Sequence, residues 1–390
     1  MFSSFSELEH ERTRWDDFAA STGAPIYMSY DWCRLWWEFY GGRRRLAIFL
    51  VLSDKQLVGL LPMYIDSFGW WPFRIRIARL VGTTDGPTKM FDPPVRTDVA
   101  TLAVKAVVDT LLHERMCDLV SLGPVRSKYP GIADLIPIFG SEPYRVQIRP
   151  SGMVTFFDLS KQPEDYLATL GRNEQKKRRY DFRYLTRYEA KETIVVGPGT
   201  EIEAEFREFA QMHANDWESK GRLGHFRAWP KAFEYHLALA KCLSGLNRLR
   251  LFKIEVGQEA ICCDYGYVFG RSFFWELPAR SLDNKWMKIS LGSCALISML
   301  RRVVQERITC LYAGVGRYDY KTRLGAEECP VVTVRVFPKK WSTRVSVAAV
   351  DLGVSLLEIL YFKIWYMRIQ PVLPGFFRWP IWKFWSRIST

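Results

Sequence analysis

Hydrophobic and polar positions alternate in two rhythms along this chain. A short helical pattern covers 15–20. Between Tyr30 and Tyr40, bulky apolar residues return at helical spacing (Tyr30, Trp32, Cys33, Trp36, Trp37, Tyr40). Residues 46–52 and 57–65 are apolar runs separated by Ser53-Asp54-Lys55-Gln56, which predicts a β-hairpin. Residues 75–81 predict a third strand. Glycine and proline mark 82–94 as loop, 98–114 carries helical periodicity, and 118–122 reads as a strand.

The second half follows a similar order. A strand over 154–159 leads into a long helix over 162–188, with Pro163 in its first turn. Helices follow over 201–220 and 229–243. Three strands come next, over 249–256, 260–269 and 272–277, turned by Gly257-Gln258 and Gly270-Arg271. A helix over 290–306, a strand over 308–313, a helical turn over 318–323 and a strand over 331–336 complete it. Antiparallel strands in series, then helix, then strand, predict a mixed α/β (α+β) sheet and exclude a Rossmann alternation.

Five prolines crowd residues 123–150 (Pro124, Pro130, Pro137, Pro143, Pro150), so the domain crossing is expected there. The expected domains are 1–150, 151–338 and a tail over 339–390. A length of 390 residues suits two such domains. The tail has an apolar run over 345–362, broken by Asp351 and Glu358, which falls short of a transmembrane span. Beyond it, Lys363, Arg368, Arg378, Lys383 and Arg387 interleave with Trp365, Phe376, Phe377, Trp379, Trp382 and Trp385. That pattern predicts an amphipathic tail making peripheral contact with an inner-membrane surface through 341–390.

The net charge of +13 draws anions such as a nucleotide cofactor, anionic lipid or nucleic acid. The tail is too apolar for a polyanion groove, so nucleic acid ranks below cofactor and membrane, with tRNA as the runner-up partner. Eight cysteines show no C-x-x-C spacing and no histidine at ligand distance. No metal is expected, the cysteines read as small buried hydrophobes, and a cytoplasmic location follows.

Two blocks carry candidate chemistry. Lys288-Ile289-Ser290-Leu291-Gly292-Ser293 opens an apolar helix. A glycine at a helix mouth lets backbone N–H groups approach a diphosphate, and Lys288 adds positive charge. The second block, 314–325, follows a strand and ends Gly316-Arg317-Tyr318-Asp319-Tyr320-Lys321-Thr322-Arg323-Leu324-Gly325. Asp319 stands where a dinucleotide fingerprint needs its third glycine, so that motif is rejected. Tyr320 and Lys321 remain as a proton donor or charge stabiliser at a strand end. Asp264 interrupts an apolar strand and needs a partner or a role; Glu276 is its equal rival as general base. His213 and His225 flank Trp217 and read as structural.

These motifs, in this order, resemble the GNAT superfamily of acyltransferases, in the CelD-like branch linked to cellulose and exopolysaccharide synthesis, with a relation to FemAB-type aminoacyltransferases. The resemblance runs over residues 20–337. It includes Tyr30-Asp31-Trp32, Leu80-Val81-Gly82-Thr83, Leu170-Gly171-Arg172-Asn173, Asp216-Trp217-Glu218-Ser219-Lys220-Gly221 and the Gly316, Tyr320, Lys321, Gly325 close. It implies two tandem GNAT-like domains, the second binding acetyl-CoA or another acyl-CoA as co-substrate. It implies an acyltransferase moving groups other than aminoacyl groups to an amine acceptor, such as an amino sugar or lipid-linked sugar. Lys288, Ser290, Leu291, Gly292 and Ser293 would hold the cofactor, and Trp217, Arg172 and Lys176 would border the acceptor. Only Gly292 survives of the usual glycine loop. The alternatives are aminoacyl transfer from charged tRNA, or a non-catalytic membrane-associated scaffold of polysaccharide synthesis.

Overall fold

The computed structural model describes residues 1–69, 74–132, 139, 143–160, 166–197 and 201–388. The chain forms two compact units, Met1–Gly152 with Pro330–Thr390, and Met153–Cys329.

The first unit starts with α1 (Arg12–Ser21) and α2 (Tyr30–Tyr40). Helix α2 buries Trp32, Cys33, Leu35 and Trp36 on one face and stops at Gly41. Strands β1 (Arg45–Ser53) and β2 (Gln56–Phe68) form the expected hairpin, with Ser53 opposite Gln56. Asp54 and Lys55 both take positive φ, as a two-residue hairpin turn requires. Then come β3 (Ile75–Leu80), α3 (Ala100–His113) and β4 (Leu119–Arg126).

The second unit opens on β5 (Tyr144–Asp158), whose first part belongs to the first unit. It continues through α4 (Arg172–Thr186), β6 (Lys191–Val195), α5 (Ile202–Glu218), α6 (His225–Ala228) and α7 (Ala232–Gly245). Strands β7 (Leu249–Val256), β8 (Glu259–Phe269) and β9 (Ser272–Arg280) follow. Helix α8 (Leu291–Gln305), β10 (Cys310–Val315) and α9 (Asp319–Arg323) end the unit. Strand β11 (Glu327–Pro338) and α10 (Trp341–Leu357) then return to the first unit, and α11 (Lys383–Ile388) lies near the C-terminus.

Both units repeat one scheme. Three strands pair antiparallel in series, a helix follows, and the fourth strand lies parallel to the third: β1-β2-β3-α3-β4, and β7-β8-β9-α8-β10. In the first unit β4 pairs antiparallel with β11; in the second, β10 pairs antiparallel with β5 and β6 pairs with β7. The fold is mixed α/β with flanking helices, two units of one scheme in tandem, ending in helix.

Some expectations give way. Residues 123–150 are not all loop: β4 runs to Arg126 and β5 starts at Tyr144. The first ten residues of β5 are half-buried or exposed and contain Pro150, so they show no apolar run. The helix expected over 162–188 is broken at Gly171 into a single turn, Tyr166–Thr169, and α4. Pro163 lies outside the described residues. Trp229 and Pro230 split the helix expected over 229–243, and α7 starts only after Lys231, which has φ +57. Strand β6 was not expected; its charged half hides the alternation. The tail is one helix over Trp341–Val372, 32 residues, long and apolar enough by length and composition to cross a membrane, where the sequence run fell short.

Candidate active site

Strands β9 and β10 run parallel but pair over three residues only, Ser272–Phe274 against Cys310–Tyr312. Past these pairs β9 continues to Arg280 and β10 to Val315, so a gap opens between them.

Lys321 reaches into that gap from α9. Its Nζ donates to Ala313 O on β10 at 2.5 Å and lies 5.2 Å from the ring centre of Trp275 on β9. The Tyr318 ring is 4.5 Å away. Lys321 is only 5% exposed, and burial lowers its pKa to about 8. Tyr320 packs beside it, and burial pushes its hydroxyl up to about 12. Two glycines fix this turn. Gly316 has φ +125, and a Cβ there would meet the Tyr318 ring at 2.8 Å. Gly325 has φ +95, and a Cβ there would meet the Tyr166 hydroxyl at 2.9 Å. That hydroxyl donates to Leu324 O at 2.7 Å.

Asp264 on β8 stands behind Trp275. Its Oδ1 accepts from Trp275 Nε1 and from Arg280 Nη2, each at 3.0 Å. Its Oδ2 is buried with no hydrogen-bond partner among the described residues. Burial raises the Asp264 pKa, and Arg280 and Trp275 oppose the rise. Asp264 also lines a cavity of about 330 Å³, shared with Glu192, Phe252, Ser298, Arg301 and Arg302.

Arg280 connects this carboxylate to the mouth of α8. A Cβ on Gly292 would lie 3.4 Å from Arg280 Nε. The glycine therefore leaves backbone exposed beside a guanidinium, a combination that fits a phosphate group. Lys288 is exposed one turn before, and the Ser290 and Ser293 hydroxyls are 2.8 Å apart. Leu291 is buried in the core beneath α8, so only its backbone can face a ligand. Ser290 departs from expectation: its N–H is held by the Asp181 carboxylate of α4. Asp181 bonds Arg178 at 2.6 Å. A protein carboxylate thus already answers part of the positive end of α8.

The other face of the sheet holds Glu276. Its carboxylate is 4.0 Å from His236 Nε2, in a buried cluster with Tyr265 and Tyr267. His236 Nε2 is 3.0 Å from His225 Nε2, and the His225 N–H donates to His213 Nε2 at 3.2 Å. His213 Nδ1 lies 2.7 Å from Pro278 O on β9, and Trp217 packs on His213. The structure thus brings Asp264, Tyr320, Lys321 and Gly292 to one region and places Glu276 and Trp217 elsewhere. Arg172 and Lys176 are exposed on α4, whereas Arg178 of the same basic run turns inward to Glu174 and Asp181.

Trp275 and Arg280 were not among the expected site residues. The hairpin held only part of the signal: the turn at Gly270-Arg271 alone would set Asp264 opposite Leu277, and an irregularity at Tyr265–Gly266 moves it to Pro278, two residues from Arg280. Among the described residues, no group of three or more His, Cys, Asp or Glu is arranged to hold a metal.

Residues 175–322 match the family model of an acetyltransferase (GNAT) domain. The matched stretch lies within the second unit. The β9–β10 gap, the α8 mouth and the Tyr320-Lys321 turn all fall inside that matched stretch. Solved structures extend the likeness over most of the chain. FemX aligns with TM-score 0.62 at 10% identity, covering 84% of this chain and 96% of that one. A conserved protein of unknown function from Bacteroides thetaiotaomicron VPI-5482 gives 0.54 at 13%, covering 85% and 97%. L-PGS from Bacillus licheniformis gives 0.52 at 12%, covering 87% and 96%. At such identities the likeness is one of fold. No curated protein matches the chain.

Proposed function

We propose that the second unit is an acyl-CoA-dependent N-acyltransferase, with acetyl-CoA as the first co-substrate to test. The observation that carries this is the Asp264 carboxylate. One oxygen is fixed by Trp275 and Arg280, and the other is unpartnered beside a cavity. A carboxylate whose pKa is raised by burial suits a general base.

Acyl-CoA supplies an activated acyl carbonyl. The amine nitrogen attacks this carbon, the C–S bond breaks, and Asp264 Oδ2 takes the proton the nitrogen loses. Lys321, protonated below its pKa of about 8, gives a proton to the departing sulfur. For that its Nζ must exchange the bond to Ala313 O for one to sulfur. The Gly292 backbone N–H and the Ser293 hydroxyl, with Arg280 and Lys288, would hold the diphosphate. The cavity beside Asp264 would take the acceptor, an amino sugar or lipid-linked sugar. The exopolysaccharide setting rests on the CelD-like order of motifs alone.

Calorimetric titration of the full chain with acetyl-CoA and longer acyl-CoAs tests the first step. Micromolar binding is expected; no binding by any thioester to folded protein overturns the proposal. Aminoacyl transfer is the second reading, because α4 exposes Arg172, Lys176, Lys177 and Arg179 and the fold is also that of FemX. Strongly salt-dependent binding of charged tRNA would favour it.

A further inference from the structure

The helix over Trp341–Val372 keeps only 6% of its most apolar window buried. Leu352, Leu360, Val372, Phe376 and Trp379 are 59–80% exposed. The two acids of this segment are both answered. Asp351 accepts from Arg335 at 2.9 Å and from Arg149 at 2.5 Å on the first unit, and Glu358 lies 3.7 Å from Lys363. The charges that interrupt the apolar run are thus paired, and Asp351 is held against the protein.

The chain then doubles back. Gln370 Nε2 donates to Trp379 O at 2.8 Å, and the Trp382 N–H donates to the Tyr361 hydroxyl at 2.6 Å. Trp385 stacks on Phe362 with ring centres 5.2 Å apart. Ser386 Oγ donates to Asp85 at 3.0 Å, and Arg387 donates to Asp66 at 2.5 Å. Both ends of the segment are therefore fixed to the first unit, and the part between them is an apolar hairpin. After Glu358 it carries Lys363, Arg368, Arg378, Lys383 and Arg387 and no acid.

We propose that this hairpin dips into one leaflet of an anionic lipid bilayer and does not cross it. With Asp351 and Arg387 both held by one unit, crossing would take two spans, and the return leg after Val372 holds Pro374, Arg378, Pro380 and Lys383, too short and too polar for one. The exposed aromatic rings suit headgroup depth, and the basic residues meet anionic phosphates. The charge pattern selects lipid over a second copy of the chain, whose identical hairpin would oppose cation to cation.

Flotation of the full chain with phosphatidylcholine vesicles, with and without about one-third phosphatidylglycerol, tests this. The chain is expected to float with the anionic vesicles and to stay below with the neutral ones. Phe376→Ser with Trp379→Ser, both at exposed positions, should weaken binding at least about tenfold with unchanged circular dichroism. Lys363→Glu with Arg378→Glu should remove the preference for anionic lipid. Failure of the folded wild type to float with either vesicle overturns the proposal. So does a dimer in sedimentation that the Phe376 and Trp379 substitutions dissolve while vesicles leave it intact.

Discussion

Arg280 and Asp264 share one hydrogen bond of 3.0 Å, and both of the carboxylate's protein contacts fall on the same oxygen. The second oxygen is left for something else. An Asn at this position keeps an acceptor for Trp275 and Arg280 but cannot take a proton. Asp264→Asn is therefore expected to fold and to lose about 10²–10⁴ in kcat with little change in KM. Steady-state transfer assays beside circular dichroism check this.

Glu276 sits across the sheet among His236, Tyr265 and Tyr267. Glu276→Gln should change kcat by less than about threefold in the same assay. A larger loss there than at Asp264 would move the base to the histidine face.

Lys321 is harder to protonate in the folded chain, near pH 8, than in the unfolded chain, near pH 10.5. Between these values the unfolded state binds more protons at this group, so the Lys321 contribution to stability rises with pH across that window. Below about pH 8 the buried ammonium costs the fold roughly 3 kcal/mol. Denaturant unfolding at both ends of the window should show the stability of wild type rising relative to that of Lys321→Met, the buried cysteines and tyrosines titrating alike in both. The same titration predicts that transfer falls as pH rises through about 8, because the donor for sulfur is lost.

Gly292 meets Arg280 at ordinary contact distance once a Cβ is added. Gly292→Ala should therefore keep the fold, and alanine favours a helix over glycine by about 1 kcal/mol. Acyl-CoA affinity should nonetheless fall at least about tenfold, because the methyl covers the backbone at the helix mouth. Thermal melting and calorimetry read the two effects separately.

Elements with strong periodicity were legible in the sequence. The 46–65 hairpin, α2, α8 and the β7–β9 meander appear as expected, because each is a long, largely buried apolar run or helical stripe. Strand β6 and the first part of β5 were not legible, since they carry charge and proline at exposed positions. At the site, sequence singled out Asp264, Tyr320, Lys321 and Gly292, each unusual for its local pattern. Arg280 and Trp275 read as ordinary strand residues until the hairpin register sets them beside Asp264. The role of Asp181 at the Ser290 amide depends on how α4 packs against α8, which no local pattern encodes.

Strand β11 follows the second unit in the chain yet is built into the first, next to β4. No single scissile point therefore separates the halves. A fragment ending near residue 152 would leave β4 with a bare edge and Arg149 without its Asp351. The second unit is an insert within the first, and it is cleanly excised only by two cuts, with the flanking ends rejoined.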